Sequence, residues 1–376
     1  MSKIDDLIKE LCPDGVSVRS LGDLEDSGII KLGRGMVISK NDIADNPGNY
    51  PVYSSSATGL GEFGRYSKYM FDDERITWSV DGGGRFFHRK AHKYSVTNVS
   101  GWIRVNDTNI ITKYLYYVLD NLWLTKKFDY VKKAHPSVIR NEYKIPIPPL
   151  EVQKEIVRVL DSFTELEAEL EAELEARKKQ YEYYRNTLLT FNERERVEYV
   201  QIGDICNMKR GKRVIKSQLN DAGIYPVYQN SLLPLGFFNE YNCLAGSVFM
   251  ISAGAAGKIG FSDVDFWAAD DCWIFDCHEN LLERFLYHAL KNQQNTIDSG
   301  VRRSSIPRLS RIFIENIKIP VPPLEKQKQI VSILDKFDAL VNDISTGLPA
   351  EIEARRKQYE YYRNKLLTFK ELECSK

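Results

Sequence analysis

Apolar positions recur with helical spacing over two long stretches of the chain. In the first they fall at Ile156, Val159, Phe163, Leu166, Leu170 and Leu174, then at Tyr181, Tyr184, Leu188 and Phe191. The steps alternate between three and four, with one extra step of four from Leu170 to Leu174 and Arg177 in the intervening seam position. This is a heptad stripe with a stutter. The second stretch runs through Ile330, Ile333, Phe337, Leu340 and Ile344, then Tyr359, Tyr362, Leu366 and Phe369. Gly347 and Pro349 interrupt it, so this helix is expected to break or kink there. About 40 residues at 1.5 Å each make a rod of roughly 60 Å. Two such seams in one chain predict an intramolecular antiparallel coiled coil. The plainer alternative is that each helix packs on its own domain or on a partner.

Outside these stretches the pattern changes to short strands. ERITWSV and RFFHRK flank Gly82, Gly83 and Gly84, and GSVFMIS and KIGFSD flank GAAG from Gly254, each pair reading as two strands around a small-residue turn. ITKYLYYVLDNL and LLERFLYHALKNQ follow with helical spacing. The order is the same twice because the chain is an internal repeat. IPIPPLEVQKEIVRVLDSF from Ile145 and IPVPPLEKQKQIVSILDKF from Ile319 match at 13 of 19 positions, 174 residues apart. EARKKQYEYYRNTLLTF from Glu175 and EARRKQYEYYRNKLLTF from Glu353 match at 15 of 17, 178 residues apart. Weaker echoes lie upstream: RGMVISKNDI from Arg34 with RGKRVIKSQL from Arg210, YPVY at Tyr50 and Tyr225, and TWSVDGGGR from Thr77 with MISAGAAGK from Met250. So long a period is a duplicated domain plus helix, not a solenoid unit. The expected fold class is α+β. Two mixed α/β domains, at residues 1–150 and 194–323, are separated by helical spacers at 151–193 and 324–376, with a pseudo-twofold internal repeat.

Charge narrows the partners. The chain has 52 basic and 52 acidic residues among 376, which excludes a surface that grips nucleic acid everywhere. Acid is concentrated in residues 151–191, with 10 acidic against 6 basic side chains. No apolar run is long enough to span a membrane and no signal-peptide core opens the chain, so a cytoplasmic protein with no membrane partner is expected. Cys12, Cys206, Cys243, Cys272, Cys277 and Cys374 form no C-x-x-C pair, which reads as reduced, buried thiols.

Known catalytic patterns do not fit. GAAGKIG lacks the spacing and the Ser or Thr of a phosphate loop, and G-x-G-x-x-G is absent. His88 and His92 are four apart but have no third ligand, and they read better as a surface or phosphate-facing pair than as a metal site. No nucleophile–base pair is supported, so no catalytic residue, metal or cofactor is assigned to this chain. What remains is polar and basic residues placed alike in both halves. Lys31, Arg34 and Lys40 are answered by Lys209, Arg210, Lys212, Arg213 and Lys216. Arg85, Arg89 and Lys90 are answered by Lys258. Lys132, Lys133 and His135 are answered by Arg302, Arg303, Arg308 and Arg311. After YPVY the residues differ: Ser54, Ser55 and Ser56 in one half, Gln229, Asn230 and Ser231 in the other. Lys and Arg hold phosphates, while Asn, Gln, Ser and Arg read base edges. Singly each residue fits a solvated surface; jointly the clusters point to nucleic acid. Tyr183 and Tyr361 lie off the seam in both copies and suit a protein interface or simple half-exposure.

The paired proline-rich segments and the paired EAR-x-KQYEYYRN segments resemble the helical spacers of type I restriction-modification specificity subunits. YPVY, the Gly-rich hairpin and RRSSIPRLS are similar to segments that frame that family's target recognition domains. The first copy departs from the pattern, with VKKAHPSVIR where the second has VRRSSIPRLS. The resemblance covers essentially the whole chain. It implies a DNA-recognition subunit without catalysis of its own, whose two recognition domains each read half of a bipartite double-stranded DNA site. It also implies spacers that set the gap and dock two modification subunits, with S-adenosylmethionine bound on those partners, and a separate motor-nuclease subunit in the restriction complex. Two other readings stay open to the residues alone: a fused methyltransferase or nuclease, and a coiled-coil adaptor that reads no DNA.

Overall fold

The computed structural model describes residues 3–55, 59–81, 85–126, 128, 132–220, 223–343 and 345–372. Ser56, the Gly82, Gly83 and Gly84 turn, Ile344 and Cys374 lie outside the described residues. The chain divides into two compact units, Met1–Glu169 with Glu353–Lys376, and Leu170–Ile352.

In the first unit the strand reading holds. Arg75–Ser79 and Phe86–Arg89 pair antiparallel, and a four-stranded sheet runs in the order Ile30–Arg34, Ser100–Val105, Arg75–Ser79, Phe86–Arg89. Arg75–Ser79 is an inner strand buried along its whole length. A second sheet places Pro47–Tyr53, which contains YPVY, between Glu62–Tyr66 and the parallel strand Ser95–Val96. A ribbon pairs Ser17–Ser20 with Lys144–Ile147. Helix Thr112–Trp123 buries Tyr114, Leu115, Val118 and Leu119 in the core beneath. The second unit repeats this topology strand for strand: Cys206–Arg210, Cys272–Cys277, Ser247–Ile251, Ile259–Ser262; then Gly236–Phe238, Tyr225–Tyr228, Trp267–Ala268; then Glu198–Gln201 with Lys318–Val321. Helix Glu283–Asn292 takes the place of Thr112–Trp123. The five described cysteines are free, and four of them are buried.

Helix Leu150–Leu188 is continuous over 39 residues and starts directly after Pro148 and Pro149, which suit the approach to a first turn. The second spacer breaks as expected, into Leu324–Asn342 and Leu348–Leu367, with Pro349 in the first turn of the latter. Within the first unit Phe163 stacks on Tyr362 at 5.4 Å, and Glu167 bonds Arg356 at 2.6 Å. The partner number falls as the helix advances, so the two helices pack antiparallel. Within the second unit Tyr181 and Tyr184 stack on Phe337 at 6.3 and 5.1 Å. The early turns differ from the expected stripe. Gln153, Ile156 and Leu160 carry the burial, matched by Gln327, Ile330 and Leu334, while Ile333 is 41% exposed and Val159 only half-buried. These turns pack on their own unit before the coiled-coil seam begins, so the buried stripe slips by one position.

Polar bonds fix that packing in both units. Lys113 and Tyr117 meet Asp161 at 2.6 and 2.5 Å. In the second unit Arg284 and His288 meet Asp335 at 2.7 and 2.6 Å, and the other ring nitrogen of His288 lies 3.2 Å from the Tyr181 hydroxyl. His288 is fully buried. Burial holds its pKa below the usual 6.5, outweighing the Asp335 hydrogen bond that favours the charged ring. The folded state therefore keeps a neutral ring while the unfolded chain protonates. The stability this contributes is complete above pH 6.5 and is lost as pH falls below it. Wild type is expected to lose up to about 1 kcal/mol per pH unit between pH 6.5 and 5.5 on this account. His288→Tyr, which installs the residue found at Tyr117, should flatten the slope in denaturant titrations. Equal slopes in the two proteins would remove His288 as the cause.

Candidate nucleic-acid interface

The basic residues fall into four structural situations. Some are exposed and tied to carboxylates: Lys133 to Asp81 at 2.8 Å, Lys132 to Glu142 at 2.8 Å, Lys209 to Asp276 at 2.6 Å, Lys258 to Asp298 at 3.5 Å. Others stand on exposed backbone: Lys31 on the outer strand Ile30–Arg34, Lys40 at the start of the short helix Lys40–Asp45, and Arg85 and Lys90 on either side of Phe86–Arg89. Lys212, Arg213, Lys216 and Arg303 are likewise exposed.

Arg89 departs from the expected surface cluster and is only 5% exposed. Its guanidinium lies 3.6 Å over the Tyr53 ring, donates to the Leu60 carbonyl at 2.8 Å and to Thr77 Oγ1 at 3.1 Å. Burial pulls its pKa down to about 10, which leaves it charged at neutral pH. It is a strut between the two sheets of its unit. The neighbouring histidines also turn inward: His88 bonds Glu74 at 2.6 Å, and His92 bonds the Lys90 carbonyl at 2.7 Å. Ser54 and Ser55 are half-buried, and Ser54 accepts from Thr97 at 2.9 Å. Gln229 is half-buried and Asn230 exposed, the latter packed against Gly254. Gly254 has a φ of +83°, and a Cβ there would sit 2.8 Å from the Asn230 carbonyl, so only glycine fits.

One group converges. Arg210, Arg302, Arg308 and Arg311 line a recess of about 460 Å³ with Trp273 and three serines, Ser252, Ser304 and Ser310. Arg210 ends its strand and donates to the Asp270 carbonyl at 2.7 Å. Arg302 and Arg308 are clamped side by side, each bonding the other's carbonyl through its backbone N–H at 2.9 and 3.1 Å. Arg311 opens a short helix capped by Ser310. Trp273, Ser252, Ser304 and Ser310 were not evident from sequence.

The capped helix also corrects the repeat register. Ala134 and Leu309 make the same backbone bond, to Val80 and Ser252, and His135 and Ser310 are the matching caps. KKAHPSVIR from Lys132 therefore corresponds to PRLSRIFIE from Pro307, five residues further along than the pairing of VKKAHPSVIR with VRRSSIPRLS. Tyr183 and Tyr361 are 65% and 62% exposed, each set edge-on to the next tyrosine. Among the described residues no group of three or more His, Cys, Asp or Glu could hold a metal ion, and no helix is long and apolar enough to cross a membrane.

The chain is a duplicated α+β fold that carries basic, differently furnished loops on a repeated frame. The chain belongs to the type I restriction-modification DNA specificity family, whose model matches residues 13–176 and 194–354. It is 32% identical over 358 residues to a putative type I restriction enzyme specificity subunit of Haemophilus influenzae, covering 86% of this chain and 89% of that one. It is 34% identical over 358 residues to the EcoR124I/EcoR124II specificity subunit of Escherichia coli, covering 84% of each. In fold it is similar to the S subunit of a type I restriction-modification system from M. genitalium, with a TM-score of 0.67 and 20% identity over 94% of this chain and 96% of that one. It is a specificity component and not a catalytic one.

Proposed function

We propose that each unit reads one half of a bipartite, non-palindromic site in double-stranded DNA. In this reading the helical segments set the unspecified gap and dock two modification subunits through faces that include Tyr183 and Tyr361. Those partners bind S-adenosylmethionine and methylate adenine, and a motor-nuclease subunit completes the restriction complex. The observation that carries the reading is the repeated frame with changed fittings. Arg34 and Arg210 end matching strands and bond matching carbonyls, of Asn98 and Asp270, while residues around them differ. Two readers of different sequences need such an arrangement.

Methylome sequencing of a host expressing the chain with its modification subunit tests this. A methylated motif of two unlike halves separated by a fixed gap supports it; a continuous or palindromic motif overturns it. The same assay tests the ruler. Deleting residues 165–171 shortens the long helix by roughly 10 Å while keeping the heptad phase. That is about three base-pair steps of roughly 3.4 Å. The expected result is a changed gap, or lost methylation, with neither half-site altered. An altered half-site beside an unchanged gap counts against the ruler.

A further inference from the structure

We infer that the recess around Trp273 is the phosphate anchor of the protein on DNA, and that the second unit alone carries it. This deepens the proposed function and rests on it. Four arginines line the recess and no acidic side chain does. Arg311 is paired with Glu315 at 2.6 Å. Arg302 and Arg308 make no side-chain hydrogen bond or ion pair among the described residues, yet their backbones are locked together. Two guanidiniums free of side-chain hydrogen bonds, with Arg308 in the field of the Asp271 carboxylate, stand in fixed backbone register and make a preorganised fork for a doubly acceptor-rich group, and a phosphate diester is that group in DNA. Trp273 forms the floor, with Arg210 and Arg311 at 6.0 and 5.6 Å from its ring centroid, and its buried indole N–H has no acceptor.

Where it is described, the first unit has the same strand register and a different lining. Gly101 holds the register of Trp273: the one pairs with Arg34 and Trp78, the other with Arg210 and Met250. A Cβ on Gly101 would come within 2.1 Å of the Trp78 ring, so that ring fills the place. Lys133 stands where Arg308 stands, but Asp81 neutralises it at 2.8 Å. Pro136 opens the capped helix where Arg311 does. Of the three arginines whose counterparts are described, only Arg210 has an unneutralised one, Arg34. At this recess the duplicated fold is therefore lopsided among the described residues, with the arginine cluster in one unit and a smaller, partly neutralised counterpart in the other.

The test uses the chain assembled with its modification subunits, bound to a duplex bearing its methylated motif, with affinity measured across salt. Each phosphate contact contributes about 0.9 to the slope of log affinity against log salt. Arg302→Ala with Arg308→Ala should lower that slope by roughly one to two and weaken binding at least tenfold at about 0.15 M salt. Lys133→Ala should change binding less than about twofold, because its charge is already spent on Asp81. Arg302→Lys with Arg308→Lys should restore most of the slope, with thermal unfolding unchanged in every variant. An unchanged slope in the alanine pair, an equal loss in Lys133→Ala, or no recovery with lysine overturns the anchor while leaving bipartite reading intact. Absence of salt-dependent DNA binding by the wild-type assembly overturns the proposed function itself.

Discussion

A chain whose residues 17–147 are exchanged for the matching segment of a relative is expected to specify a new half-site joined to the old one. With its modification subunits it should methylate a motif in which one half has changed completely while the other half and the gap are kept. The boundaries follow from packing. The exchanged segment begins and ends on the ribbon of Ser17–Ser20 with Lys144–Ile147, so the cut crosses no strand pair. The helix Lys3–Leu11 must stay with the recipient. Ile4, Cys12 and Val16 share a buried core with Leu366 and Leu367, Lys365 bonds Asp5 at 2.7 Å, and Val16 pairs through its backbone with Lys370. Exchanging residues 1–16 as well splits that core and should cost stability before it changes specificity. Methylome sequencing reads the outcome. A motif unchanged in both halves would return the chain to the adaptor reading, and a motif changed in both would deny that the units read independently.

Much of this architecture was legible because the duplication left two copies to compare. Near-identical segments gave the helices, their proline-led starts and the break near Gly347, and the strand pairs followed from local alternation. What escaped was decided by tertiary contact. Arg89 reads as a surface cation in a basic stretch, but Phe86 and Phe87 beside it point to opposite faces and both are buried. A strand covered on both faces has no exposed side for Arg89 to use. The recess was half legible: its arginines were named from charge alone. Trp273 was not, because its role appears only when its strand is set against the sheet in which Gly101 takes the same register. The early helical stripe was misplaced by one position because heptad counting assumes the partner helix lies alongside from the first turn. Here the unit's own helix does.

Gln153→Leu is expected to destabilise the first unit by about 3 kcal/mol, and Gln327→Leu the second by a similar amount. Both glutamines are fully buried one turn into their spacer helices, in the shared sequence PPLE-x-QK. Gln153 Oε1 accepts the Ile111 N–H at 2.9 Å, at the start of helix Thr112–Trp123, and its Nε2 donates to the Asn109 and Pro148 carbonyls at 2.9 Å each. Gln327 does the same with the Leu282 N–H at 2.9 Å and the Asn280 and Pro322 carbonyls at 2.8 Å. One amide thus satisfies a helix N-terminus, a loop and the proline-led turn, and spends every hydrogen-bonding position that the packing allows it. Leucine keeps the volume but strands one N–H and two carbonyls, each costing roughly 1–3 kcal/mol where water cannot reach. Glutamate is expected to be worse, because a carboxylate cannot donate to either carbonyl and its charge is buried. Denaturant unfolding measures the loss. A change below about 1 kcal/mol, the size seen for exposed polar substitutions, would show that water replaces the amide. At a temperature where the variants remain folded, the methylated motif should be the wild-type one, since neither glutamine lines the basic recess.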